Sequence, residues 1–189
     1  MAKNDGRRMR GANNRQRIVA ALLVLVAQGV VAPSADEVAS EAGVALRTVF
    51  RHFADMESLY RELDERMRAE IAPLVDRPLE AGEGLPRLRE LIERRSLVFE
   101  RLLPFKIAGE VHRHASAYLT AEHETLVKLL RGSLLSALPA NLRRERERVA
   151  ALELVLSIEA WRRLRRDQRL SVREAKATLN LAAERLLTR

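Results

Sequence analysis

The stretch from Pro33 to Phe53 reads PSADEVASEAGVALRTVFRHF, and it leaves few folds open. Pro33 breaks the chain. Ser34 with Glu37 has the spacing of a capping box, in which hydroxyl and carboxylate each take up a free backbone N–H at a helix start. A short helix is expected from there, with Val38 and Ala42 on one face, closed by Gly43, a residue that ends helices at no steric cost. A few residues later, ALRTVFRHF begins a second short helix. Two short helices joined by a tight glycine-containing turn form a helix-turn-helix.

The segment before it, NNRQRIVAALLVLVAQGVVAPSA from Asn13 to Ala35, admits two readings. A basic approach, a ten-residue apolar run from Ile18 to Ala27 and a small-residue ending have the layout of an export signal. Yet Asn13 and Gln16 have capping-box spacing, Ile18, Ala21, Leu22, Leu25 and Val26 recur at helical spacing, and Gly29 is a natural stop. Cleavage near Ala35 would remove the helix that must cover the apolar faces of the next two. The segment is therefore read as a buried helix and the protein as cytoplasmic.

The rest of the chain carries helical patterns. A helix is expected from about Asp55 to Val75, with Leu59, Leu63, Met67 and Ile71 nearly in line. DRPLEAGEG is a loop. Pro86 suits a first turn, and a helix should follow to about Leu102, where Pro104 breaks it and opens a shorter one, PFKIAGEVHRHA. One long helix, SAYLTAEHETLVKLLRGSLLSAL, ends at Pro139, and NLRRERERVAALELVLSIEAWRRLRRDQ is longer still. Ser171 with Glu174 caps the last helix, which reaches Leu187. Leu, Ala, Arg and Glu dominate, and 189 residues hold only eight glycines and six prolines. The expected fold class is all-α: a three-helix head joined to a larger helical body, about nine helices. A basic flexible arm (1–12), a head (13–55) and a body (56–189) are the expected divisions.

Charge and face point to an anionic partner. The formal charge is +8. Lys3, Arg7, Arg8, Arg10, Arg15 and Arg17 stand against Asp5 alone in the first seventeen residues, which makes either a solvated tail or an arm that touches phosphates. In the second short helix, Val49 and Phe53 share a face that must pack inward, while Arg47 and Arg51 point away from it. An exposed arginine pair is often just a solvated face. On the second helix of a helix-turn-helix, however, the outer side fits the major groove, and an arginine there can bond guanine in bidentate fashion.

Residues 15 to about 60 resemble the DNA-binding head of the tetracycline-repressor (TetR-type) family of bacterial regulators. The matching residues are the apolar helix ending at Gly29, SADEVASEAGV, and LRTVFRHFADMESLY; the closing WRRLRRDQRLSVREAKATLNLAAERLL is also similar. The resemblance implies a homodimeric regulator, usually a repressor, that binds a palindromic double-stranded operator and releases it when a small molecule enters the body. By position, Leu46, Arg47 and Thr48 would stand near base edges and phosphate, and Phe50, Arg51 and His52 along the backbone or groove. Ser34 would cap a helix whose N-terminal amides can hold a phosphate. Three positions depart from the family pattern: Ala45 where a capping serine is usual, Phe50 for a common tyrosine, and Met56 for a frequent lysine.

For the body, two stripes suit a four-helix dimer interface: Val149, Leu152, Leu156 and Ala160 on one helix, Ala175, Leu179, Ala182 and Leu186 on the last. Periodicity alone equally allows both stripes to face the subunit's own core; the family resemblance favours the interface. Phe99, Leu103, Phe105, Val111, His112, Tyr118, Ile158 and Trp161 are candidate walls for a mainly apolar ligand, each also suited to plain core. No enzyme is expected, and no cofactor or metal. His112 and His114 point to nearly opposite sides of a helix, and no Walker, G-x-S-x-G or H-E-x-x-H pattern occurs. With no cysteine, disulfides and thiolate chemistry are excluded. No stretch approaches the roughly 20 apolar residues a membrane span needs. The alternative function is a helical ligand-binding or protein-interaction module whose head has lost operator recognition, which Ala45, Phe50 and Met56 would favour.

Overall fold

A computed structural model describes the backbone of residues 2–188 and the side chains of 13–188. Among the described residues there is no strand. The helices are α1 (Ala2–Ala27), α2 (Ala35–Ala42), α3 (Leu46–His52), α4 (Met56–Val75), α5 (Leu85–Arg113), α6 (Ala117–Ala137), α7 (Arg146–Val155), α8 (Ile158–Arg162) and α9 (Val172–Leu187). The helix start expected at Asn13 lies inside α1, because an asparagine costs only about half a kcal/mol within a helix and nothing before it forces a break. Whatever the side chains of the basic arm do lies outside the described residues.

The chain forms two compact units. The first holds Met1–Glu70 and Pro104–Ala121; the second holds Ile71–Leu103 and Glu122–Arg189. The unit containing the head thus extends past residue 55. The first half of α4 buries Leu59, Leu63 and Met67 within it, so compactness does not end where the helix-turn-helix does. Ile18, Leu22 and Val26 of α1 are buried with Val38 of α2, Val49 of α3 and Phe53, so the apolar run is core of the folded head.

One expected break and one expected continuity differ from the sequence reading. Pro104 does not end α5, which runs on to Arg113. A proline inside a helix removes one hydrogen bond and costs about 3 kcal/mol; burial of Leu102 and Leu103 before it and Ala108 after it offsets that cost. The long helix expected from Asn141 to Gln168 is instead interrupted at Leu156–Ser157, where the Ser157 hydroxyl accepts from Ala160 N–H and opens α8. After α8 the chain continues as a π-turn over Arg163–Asp167. The start of α4 falls where expected, with the Asp55 carboxylate accepting from Ser58 N–H at 2.8 Å.

In the second unit the apolar stripes of α7 and α9 face inward. Val149, Leu152, Leu156, Ala175 and Leu179 are buried within the single chain, together with Ala183, and Ala160, Ala182 and Leu186 are half-buried. Ala160, Ala182 and Leu186 aside, the stripe residues serve the subunit's own core: the five buried residues are not a surface offered to a second copy. A stripe at helical spacing shows that a face is covered, not what covers it. The outward faces carry other leucines: Leu154 is 72% exposed and Leu181 57%.

Candidate nucleic-acid interface

Local chemistry builds the head as the sequence spacing implies. The Ser34–Glu37 capping box is formed on both sides: Glu37 N–H donates to the Ser34 hydroxyl at 3.2 Å, and Ser34 N–H to the Glu37 carboxylate at 2.8 Å. Those bonds hold the Glu37 carboxyl below its ordinary range. Gly43 closes α2 in the left-handed conformation at φ 61°, and its N–H returns to the carbonyls of Ala39 and Ser40. Ala45 stands at the N-cap of α3 with no side-chain hydrogen bond, so the cap expected to be missing is missing.

Two arginines of α1 hold the ends of the helix pair. The Arg17 guanidinium donates to Ala42 O at 2.6 Å and to Gly43 O at 3.3 Å, placing a cation on the negative end of α2. A Cβ on Gly43 would lie 2.9 Å from that guanidinium, so the Arg17 side chain would have to shift. Arg15 does the same for α3: it donates to His52 O at 2.7 Å, lies 4.4 Å over the Phe53 ring and pairs with Glu62 of α4. In the sequence both belong to the positive N-terminal run, yet both are committed to the head's own fold. Replacing Arg17 by Ala should cost about 1–2 kcal/mol of head stability, the range for charge-assisted bonds to helix-end carbonyls. Denaturant unfolding of the variant beside an Arg66→Ala control, another exposed arginine of the same unit, checks this.

On α3 the two faces separate as the wheel requires. Val49 and Phe53 are buried, while Arg47 and Arg51 are exposed. Phe50 is 52% exposed, and Leu46 is exposed beside it. Thr48, expected near base edges and phosphate, is 9% exposed, and its N–H donates to Ala45 O at 2.7 Å in the first turn. His52 is half-buried, with its Nε2 enclosed and without a hydrogen-bond partner. Burial, reinforced by the charges of Arg51 and Arg15, lowers its pKa, so the imidazole is neutral at pH 7. Met56 is half-buried at the start of α4 and Ser34 is exposed.

The eight candidate ligand residues divide between the units. Phe99, Leu103, Ile158 and Trp161 are buried in the second. Trp161 there donates its indole N–H to Glu100 at 2.8 Å, and Arg165 grips the same carboxylate. Its polar edge is therefore already satisfied. Phe105, Val111, His112 and Tyr118 belong to the first unit. Val111 is exposed, the Tyr118 ring lies 4.0 Å under the Arg61 guanidinium, and His112 packs against Tyr60 with ring centroids 5.3 Å apart.

A helix-turn-helix on a rigid three-helix base, with a cationic outer face on its second helix, defines a DNA-binding head on an all-α chain. Residues 18–63 match the model of the family described as bacterial regulatory proteins, tetR family. That match covers the head and the first part of α4. Solved structures extend the likeness to the whole fold. A protein of Mesorhizobium loti described as a TetR-family transcriptional regulator is 19% identical, with 94% of this chain and 96% of that chain covered and a TM-score of 0.64. A transcriptional regulator of a Rhodococcus species gives 17% identity, coverage of 92% and 95%, and a TM-score of 0.67. One from Streptomyces coelicolor gives 23%, 93% and 99%, with a TM-score of 0.56. No curated protein matches the chain significantly.

Proposed function

We propose that the protein is a homodimeric cytoplasmic repressor that holds a palindromic operator and leaves it when a small molecule enters the body. One observation carries this reading: Arg47 and Arg51 are displayed on the face of α3 opposite its buried Val49 and Phe53, on a helix whose C-terminal His52 carbonyl is held by Arg15 of α1. Arg47 is assigned to base edges with Leu46 beside it; Phe50, Arg51 and His52 lie toward the backbone, and the amides after Ser34 and Ala45 take phosphates. The second copy docks on the outward faces of α7 and α9. Two heads then enter successive major grooves about one helical turn or more apart. Release follows from a ligand that favours a body conformation with unsuitable head spacing.

Selection of bound fragments from a random pool of duplex DNA tests the reading. A recovered palindrome supports it. Uniform binding across sequences overturns it in favour of a ligand-binding or interaction module. The arm has its own test. Residues 1–12 carry Lys3, Arg7, Arg8 and Arg10 against Asp5. Deleting them should weaken binding and flatten its salt dependence by about 0.9 in log–log slope for every phosphate that the arm neutralises. An unchanged slope removes the arm from the mechanism.

A further inference from the structure

A cleft of about 160 Å³ opens in the second unit. Leu126, Val127 and Leu130 of α6 and Ile158 of α8 form its apolar lining. Arg95 of α5 lines it too, and Arg95 is only 5% exposed. Its guanidinium is held by neutral acceptors: Nη1 donates to Leu156 O at 2.7 Å, and Nη2 to Leu130 O and, at 2.9 Å, to the Ser133 hydroxyl. Nε is buried without a partner. Among the described residues no carboxylate comes within ion-pair distance of it. Glu153, whose charge it feels, is paired with Arg131. Burial alone pulls the Arg95 pKa down to about 10, so it stays charged at neutral pH. A buried cation without a counter-ion is costly unless something neutralises it.

We propose that this cleft takes a small molecule with one carboxylate on a compact apolar body, the carboxylate meeting the Arg95 guanidinium and the body lying along Leu126, Val127, Leu130 and Ile158. The proposal rests on the reading of the body as an effector domain and names the effector's chemistry. Its size follows from the cavity, since a protein void of about 150 Å³ holds a benzene ring. Its charge follows from the rim. Glu153, paired with Arg131, and the exposed, negatively charged Glu159 also line the cleft, with His123 beside them, so a monoanion is favoured over a phosphate dianion.

Calorimetry on the full-length protein tests this with benzoate and hexanoate as acids and benzyl alcohol and hexanol as neutral counterparts. At least one acid should bind about tenfold or more tightly than its alcohol, the ratio expected for a charge-assisted hydrogen bond. Arg95→Gln should erase that preference. Val127→Trp narrows the cleft while leaving Arg95 in the chain and should abolish binding, which keeps the test alive if Arg95→Gln fails to fold. Acids binding no better than alcohols, binding that survives Val127→Trp, or no binding of either acid overturns the proposal. Loss of acid binding beside a recovered palindrome sinks the cleft alone. Acid binding without any palindrome sinks the regulator reading and leaves the cleft standing.

Discussion

Glutamate at both Leu154 and Leu181 will leave the subunit folded and dissociate the proposed dimer. These leucines are 72% and 57% exposed in the single chain, so neither contributes much to its core. Buried against a second copy, each would contribute about 1.5 kcal/mol or more, and a carboxylate in its place adds a desolvation penalty. Counted over both copies, the dimer constant should weaken by at least about a thousandfold. Sedimentation equilibrium reads that directly. Leu152→Ala is the contrasting variant. Its side chain is fully buried, so the change should lower unfolding stability by about 2–5 kcal/mol through a cavity. If the doubly substituted protein remains dimeric, the outward faces of α7 and α9 are not the interface.

Arg47→Ala is expected to weaken binding to the selected operator by about 10- to 100-fold for each half-site, the range for one bidentate contact to guanine. The loss should be confined to the base pair it reads. Binding to the true operator falls, whereas binding to a variant altered at that base pair changes little. Arg51→Ala, on the same face but assigned to the backbone, should weaken all sequences alike and reduce the salt slope by about 1.8, the share of two phosphates, one for each subunit. Competition binding against a panel of single-base operator variants separates the two. Both substitutions lie on the exposed side, so thermal stability should hold.

The parts of this fold legible in the sequence are those fixed by residues near one another. Ser34 with Glu37 and Ser171 with Glu174 mark their helix starts, and both boxes are formed. The alternation of Val49 and Phe53 with Arg47 and Arg51 separates the two faces of α3. Bonds between distant residues leave no such trace. Arg17 reaches Ala42, and Arg15 reaches His52, across more than twenty residues; in the sequence both are merely two more positive charges near the N-terminus. Nothing local distinguishes a helix-capping arginine from one awaiting phosphate. The stripes on α7 and α9 are apolar as their spacing implies, but most of their residues cover the subunit's own core. Hydrophobic periodicity is the same for a core face and an interface face, so it cannot name the partner. Pro104 misleads in the opposite direction. Its local cost is real, but tertiary burial on both sides outweighs it.

Arg95 shows the same limit at the ligand end. Phe99 and Trp161, candidate ligand walls by their size, are buried hydrophobic mass, and Trp161 is bonded to Glu100. The group that distinguishes the cleft is an arginine inside a charged helix, ELIERRSLVFE, indistinguishable in sequence from Arg94 beside it. Only burial separates them: Arg94 turns out toward Glu90, and Arg95 turns in.

The central claim, that the outer side of α3 faces the floor of the major groove, has a direct test. The chain contains no cysteine, so Arg51→Cys supplies a single thiol for a tethered DNA-cleaving chelate. On a duplex recovered by selection, cleavage should fall in two symmetric clusters, one inside each half-site. The same chelate on Asp167→Cys, exposed in the other unit, should leave those positions uncut. Diffuse cleavage from Arg51→Cys, or a pattern matching that of Asp167→Cys, would contradict the account.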